Sequence, residues 1–164
     1  MLKAVTICLA LALGLTSAVA GMQSQDHDLT IKACTELLEK YKLDDPSKAA
    51  VYYNRANAHD DKKNYPAAIA DYDKAIEIKP DLQTAYYNRG RALRISGQPE
   101  LAIASYNKAL ELDPKDANSF SNRGHAYRDV GDNDKAIADF RSALAIDPTH
   151  DRALAHLKEL GVEP

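Results

Sequence analysis

The chain has 164 residues with 21 basic and 24 acidic side chains, a net charge of −3 with histidine neutral. That mildly acidic balance argues against general nucleic-acid binding, which needs a basic surface. The sequence also lacks a heptad seam, a low-complexity tract and a basic amphipathic segment of the kind that lies on membranes.

Residues 1–20 stand apart from the rest. Met1-Leu2-Lys3, an apolar run from Ala4 to Leu15 and then Ala18-Val19-Ala20 supply the three parts of a secretory signal peptide, with cleavage expected after Ala20. The run is too short for a spanning helix, which needs about 20 residues. A lipoprotein leader is not expected, because Ile7 rather than a small residue precedes Cys8 and the apolar run before it is very short. Cleavage leaves 20 basic against 24 acidic side chains, a net charge of −4, and removes Cys8. Cys34 then has no cysteine in its own chain to pair with and is expected as a small buried thiol. An interchain disulfide or a redox role requires its exposure. The bacterial periplasm is the expected compartment, with secretion beyond it the other destination.

Residues 21–48 read as one helix and a linker. Ile31, Cys34, Leu37, Leu38 and Tyr41 fall at helical spacing and predict a lone helix over residues 28–41. The polar link from Lys42 to Ser47 contains Pro46 and predicts a loop. Beyond it, Pro80, Pro114 and Pro148 stand 34 residues apart, so residues 49–82, 83–116 and 117–150 are three copies of one unit. The copies open on YYNRA, YYNRG and FSNRG and carry Ala-Ile-Ala with Asp-Tyr, Ser-Tyr or Asp-Phe at residues 68–72, 102–106 and 136–140. Small residues agree in every copy at Ala56, Gly90 and Gly124 and at Ala68, Ala102 and Ala136, with Ala75, Ala109 and Ala143 following. Large ones stand at Tyr72, Tyr106 and Phe140.

Each unit reads as two helices. Ile69, Tyr72, Ala75, Ile76 and Leu82 form an apolar stripe in the second half. Gly97 and Gly131 suit the left-handed residue that closes a first helix, and Lys63 is the departure, so its turn is expected to be strained or differently shaped. Each Pro stops a second helix. One such pair cannot bury its apolar face alone, so neighbouring pairs must stack. Residues 151–164, with Ala153, Leu154, Leu157 and Leu160 inward and Lys158 and Glu159 outward, read as a terminal cap.

These marks resemble the tetratricopeptide repeat family over about 100 residues. The resemblance implies an all-α solenoid, a right-handed superhelix of antiparallel helix pairs, here with a lone N-terminal helix and a C-terminal capping helix. It further implies that the first helices line a concave groove through fixed positions of each repeat. Carried onto this chain, these are Ala50, Tyr53, Asn57, Asp60 and Asp61, then Thr84, Tyr87, Arg91, Arg94 and Ile95, then Asn118, Ser121, His125, Arg128 and Asp129. A subset of the family binds the C-terminal carboxylate of chaperones through a basic and asparagine clamp. Asn57 and Asn88 stand at its asparagine positions, but Tyr53, Asn118 and Asn122 occupy its basic ones, so that activity is not expected.

The groove set joins tyrosines to arginines. Planar guanidinium donors grip carboxylates in pairs, and tyrosine offers rigid area with a polar tip. The expected ligand is an extended peptide of a partner protein, with an acidic side chain or a free C-terminus, held by Tyr53, Asn57, Tyr87, Asn88, Arg91, Arg94, Asn122, His125 and Arg128. The plainer alternative is that the arginines are ordinary solvated helix residues, in exposed pairs such as Arg128 with Asp129 that contribute little. The repeated Asn54-Arg55, Asn88-Arg89 and Asn122-Arg123 are expected to serve the repeat itself, with Arg55 and Arg123 reaching Asp71 and Asp139. Ser105 replaces that carboxylate in the middle copy and predicts a freer Arg89.

No catalytic constellation, cofactor motif or metal set is expected. The five histidines, His27, His59, His125, His150 and His156, are scattered, and Ser and Cys show no nucleophile motif. Two function classes follow: an exported adaptor that binds a peptide of a partner, and a self-associating structural scaffold of the cell envelope whose repeats stack end to end between chains.

Overall fold

The computed structural model describes residues 27–163, so the leader and Cys8 lie outside the described residues. Among the described residues eight helices follow one another: α1 His27–Lys40, α2 Asp45–Asp61, α3 Tyr65–Ile78, α4 Gln83–Ile95, α5 Pro99–Leu112, α6 Ala117–Asp129, α7 Asn133–Ile146 and α8 Asp151–Glu159. They fall into two compact units, one ending at Ala85 and the other beginning at Tyr86.

Local chemistry sets the helix ends. The Asp44 side chain accepts from the Ser47 amide at 2.9 Å, and Pro46 stands in the first turn, where its missing N–H costs nothing. Pro46 and Ser47 therefore begin α2 and are not the loop expected of them. The first-type helices α2, α4 and α6 close alike, with Asn64, Gln98 and Asp132 donating backbone N–H to the carbonyls of His59, Leu93 and Tyr127. The turn residues are Lys63 (φ 60°), Gly97 (φ 77°) and Gly131 (φ 82°). Lys63 thus adopts the same turn as its glycine counterparts and bears the steric penalty of a left-handed side chain. Before Pro80, Pro114 and Pro148, residues Lys79, Asp113 and Asp147 swing to extended backbone, as proline demands of its predecessor.

In the first unit, Ala33, Cys34 and Leu37 of α1 pack with Val51 of α2, and Ala56, Ala68, Tyr72 and Ala85 form a second cluster. Tyr41 lies past the end of α1 and is 55% exposed, so it is no part of the expected stripe. Cys34 is fully buried, as expected, but it is in disulfide linkage and not the lone thiol expected of it. In the second unit, Phe140, Ala136 and Ala143 of α7 pack with Ala153 and Leu157 of α8.

Within each helix pair the approach is close. A Cβ built on Gly90 meets the Tyr106 ring at 2.8 Å, and one on Gly124 meets Phe140 at 2.8 Å. α8 continues the 34-residue register, and there Lys158 stands where Ala56, Gly90 and Gly124 stand in the full repeats. A guanidinium ties the helices of a pair together. Arg55 makes two bonds of 2.7 Å to Asp71, and Arg123 makes bonds of 2.8 and 2.7 Å to Asp139. In the middle pair Arg89 donates to the Ser105 hydroxyl at 2.7 Å. The freer Arg89 expected from the sequence is therefore corrected, because a hydroxyl on the same stem accepts one of the two bonds that a carboxylate would.

Candidate functional site

The first-type helices carry the candidate residues. In the first unit, Tyr53 lies 6.0 Å from the buried Tyr72 ring, whose hydroxyl donates to Asn57 at 2.6 Å. Asn57 is thereby committed in part to the core. The remaining candidates, Tyr87, Asn88, Arg91, Arg94, Asn122, His125 and Arg128, belong to the second unit, on α4 and α6.

Several of these seven meet across neighbouring helices. Asn122 is 4% exposed and uses its amide nitrogen twice, donating to the Tyr87 hydroxyl and to the Asn118 carbonyl, both at 2.9 Å. The Tyr87 oxygen thus accepts from within, leaving its O–H to donate outward. Burial pushes the Tyr87 phenol up; the charge of Arg152 pulls it down, the Asp116 carboxylate pushes it up and Arg91 pulls it down again. Both guanidinium groups are therefore close enough to act on the same hydroxyl.

Arg94 and Arg128 are differently placed. Arg94 donates to Asp129 at 3.1 Å, and Arg128 donates to Glu159 of α8 at 3.0 Å. The Arg128–Asp129 pair of the plainer alternative does not form, since Asp129 takes its partner from α4 and Arg128 from α8. Side-chain exposures of 28% for Arg94 and 32% for Arg128 leave both bridges partly wet, so each contributes modestly. Beneath them Arg94 Nε and the Tyr106 hydroxyl are buried without a hydrogen-bond partner, and burial pushes the Tyr106 phenol well above its ordinary value.

In the first and third repeats the ninth residue suits the aromatic core residue beneath it, whereas in the middle repeat the ninth residue is Arg91 and the Tyr106 hydroxyl has no hydrogen-bond partner. Asn57 accepts from Tyr72, whereas His125 packs its ring edge-on against Phe140 at 5.3 Å, where no hydroxyl exists. Burial comes first among the causes that push His125 down to about 4, followed by His156 and the charges of Arg94, Arg128 and Arg152.

Arg152 and His156 were missed by sequence reasoning because α8 read only as a cap. The signal was present. Stepping 34 residues on from Asn88 and Asn122 reaches His156, and stepping 34 on from Asn118 reaches Arg152. Arg91, Arg94, Arg128 and Arg152 face three carboxylates, Asp116, Asp129 and Glu159, so this part of an acidic chain carries a slight excess of positive charge. Among the described residues no group of three histidine, cysteine or acidic side chains could hold a metal ion. No helix among them is long and apolar enough to cross a membrane.

Comparison with known proteins agrees with this architecture. Family models described as tetratricopeptide repeat match residues 49–82, 71–104 and 117–150, and one described as TPR repeat matches residues 90–130. No curated protein matches the chain. Among solved structures, the Arabidopsis OM64 TPR domain is 27% identical, with a TM-score of 0.70 over 71% of this chain and 97% of that one. The second TPR domain of human RPAP3, solved in complex with the HSP70 peptide SGPTIEEVD, is 23% identical, with a TM-score of 0.70 over 73% of this chain and 100% of that one. MamA from residue 41 to its end, from Desulfovibrio magneticus RS-1, is 21% identical, with a TM-score of 0.78 over 94% of this chain and 84% of that one. The family matches run without a gap from residue 49 to residue 150, and the chain belongs to the tetratricopeptide repeat family.

Proposed function

We propose that this protein is an exported, non-catalytic adaptor that holds an extended peptide of a partner protein on its first-type helices and grips an acidic side chain or a C-terminal carboxylate. The observation that carries the reading is the Tyr87 hydroxyl, held from below by Asn122 and within reach of the charges of Arg152, Asp116 and Arg91. A peptide carboxylate that displaces Asp116 there accepts one phenolic and several guanidinium hydrogen bonds, the charge-assisted kind that is both short and strong. Arg94 and Arg128 likewise serve a ligand that competes with Asp129 and Glu159 for them. The RPAP3 domain of the same fold holds a peptide. That is analogy at the level of fold and names no partner for this chain.

The test is affinity capture from an envelope extract, comparing the mature protein with an Arg91→Glu, Arg152→Glu double variant. Capture of a partner should fall at least about tenfold, the scale of losing one charge-assisted contact, with helicity and melting unchanged. Undiminished capture rejects the grip, and recovery of only its own chain by both proteins favours the self-associating scaffold. The same reading makes residues 1–20 a cleaved leader. The intact mass of protein from the envelope fraction, measured after reduction of disulfides, should correspond to a chain beginning at Gly21; full-length protein confined to the cytoplasm removes export from the proposal.

A further inference from the structure

Three rings meet where α6, α7 and α8 join. His125 lies edge-on to His156 with centroids 4.2 Å apart. Both pack on Phe140, His125 edge-on at 5.3 Å and His156 stacked at 5.4 Å. Phe140 is fully buried in the cluster that receives Ala153 and Leu157 of α8, so the rings are part of what holds that helix in place.

The charges around these rings are one-sided. α4 presents Arg94, α6 presents Arg128 and Asp129, α7 presents only the apolar Phe140, and α8 presents Arg152 and Glu159. Both carboxylates are taken, Asp129 by Arg94 at 3.1 Å and Glu159 by Arg128 at 3.0 Å and His156 at 2.8 Å. No hydrogen bond joins either ring nitrogen of His125 to another described residue. A proton on His125 therefore enters a half-buried ring facing three guanidinium groups with no carboxylate of its own.

His156 is held on the other side of the pair: its Nδ1 lies 2.6 Å from Arg128 Nη1 and 2.8 Å from Glu159 Oε2, one a donor and one an acceptor.

The geometry points to an acid-sensitive latch, in which protonation of His125 breaks its packing on Phe140 and His156 and frees α8 while the α6–α7 pair stays folded. That pair keeps the close Gly124–Phe140 approach and the double Arg123–Asp139 bond, neither of which involves α8. The sign follows from His125, pushed down to about 4 from 6.5. A group whose pKa is depressed by folding contributes stability that is full above the unfolded value and is lost as protons bind. Docking of α8 is thus fully stable above about pH 6.5 and weakens as pH falls from there toward 4. The latch does not rest on the peptide reading, because it is read out in the exposure of α8 itself.

Amide hydrogen exchange of the whole chain at pH 7 and pH 5, corrected for the intrinsic pH dependence of exchange, tests it. Opening of α8 should rise about tenfold at pH 5, after discounting for the partial exposure of the ring, with α6 and α7 unchanged. His125→Phe keeps a ring on Phe140 that cannot be protonated and should remove most of the rise. Equal protection of α8 at both pH values, or an undiminished rise in the variant, overturns the latch. If the variant does not fold, an NMR titration of His125 in the natural sequence decides: a midpoint near 4 supports the latch, and one at 6.5 or above overturns it.

Discussion

Replacing Gly124 by leucine should destabilise the second unit by about 3 kcal/mol or more, the upper range for overpacking a well-filled site. A single Cβ at that position would stand 2.8 Å from Phe140 Cε1 and 3.1 Å from two further ring atoms. The ring has no room to yield, since it is fully buried and carries His125 and His156 on its other contacts. Gly124→Ala should cost less, about 1 kcal/mol, because helix propensity favours alanine over glycine by a similar amount and offsets part of the clash. The first repeat shows that a methyl can be accommodated, with Ala56 and Tyr72 both fully buried in one cluster. Thermal melts of both variants check this: a leucine midpoint within a degree or two of the natural protein would mean that the helix pair is loosely packed.

The second large effect concerns the guanidinium ties. Asp139→Ala should cost about 3 kcal/mol, because it leaves Arg123 half-buried with its main acceptor gone. Arg123 would keep its bond to Asn107 at 2.7 Å and its stacking on Phe120 and Tyr127. The reciprocal change tests the same physics in the other direction. Ser105→Asp offers Arg89 the double acceptor that Arg55 and Arg123 already have, and should stabilise the middle pair by about 1 kcal/mol. For a chain of this size those figures correspond to a midpoint lowered by about 10 °C and one raised by about 3 °C. A lowered midpoint for Ser105→Asp would show that desolvating the added carboxylate outweighs its bonds to Arg89.

The ties were legible in the sequence because Arg55 with Asp71 and Arg123 with Asp139 share one separation of 16 residues, and a repeat places equal separations in equal geometry. The helix pairs were legible for the same reason, through small residues facing large ones. The partners of Arg94 and Arg128 were not. They lie 35 and 31 residues on, two helices further along, where rotamer and helix spacing decide contact and no local pattern reports them. Pro46 and Ser47 misled because a polar, proline-containing stretch suits a loop and a capped first turn equally well until Asp44 is seen to hold the Ser47 amide. His156 and Arg152 escaped notice because α8 was weighed for its apolar face alone, although the register placed both residues beside the candidate site.

The match between Asn57 and the Tyr72 hydroxyl, and between His125 and the hydroxyl-free Phe140, bears on how such an array evolves. Repeats arise by duplication, and a new copy begins with surface and interior residues already suited to each other. A later change at the ninth position of one copy leaves a stranded polar group, as the Tyr106 hydroxyl of the middle copy is, or an apolar ring against a polar one, unless the interior residue changes with it. Once two copies have drifted apart as pairs, recombination between them is harmless only at crossovers that keep each pair intact. The lineage of this chain is thereby channelled toward exchange of whole helical hairpins.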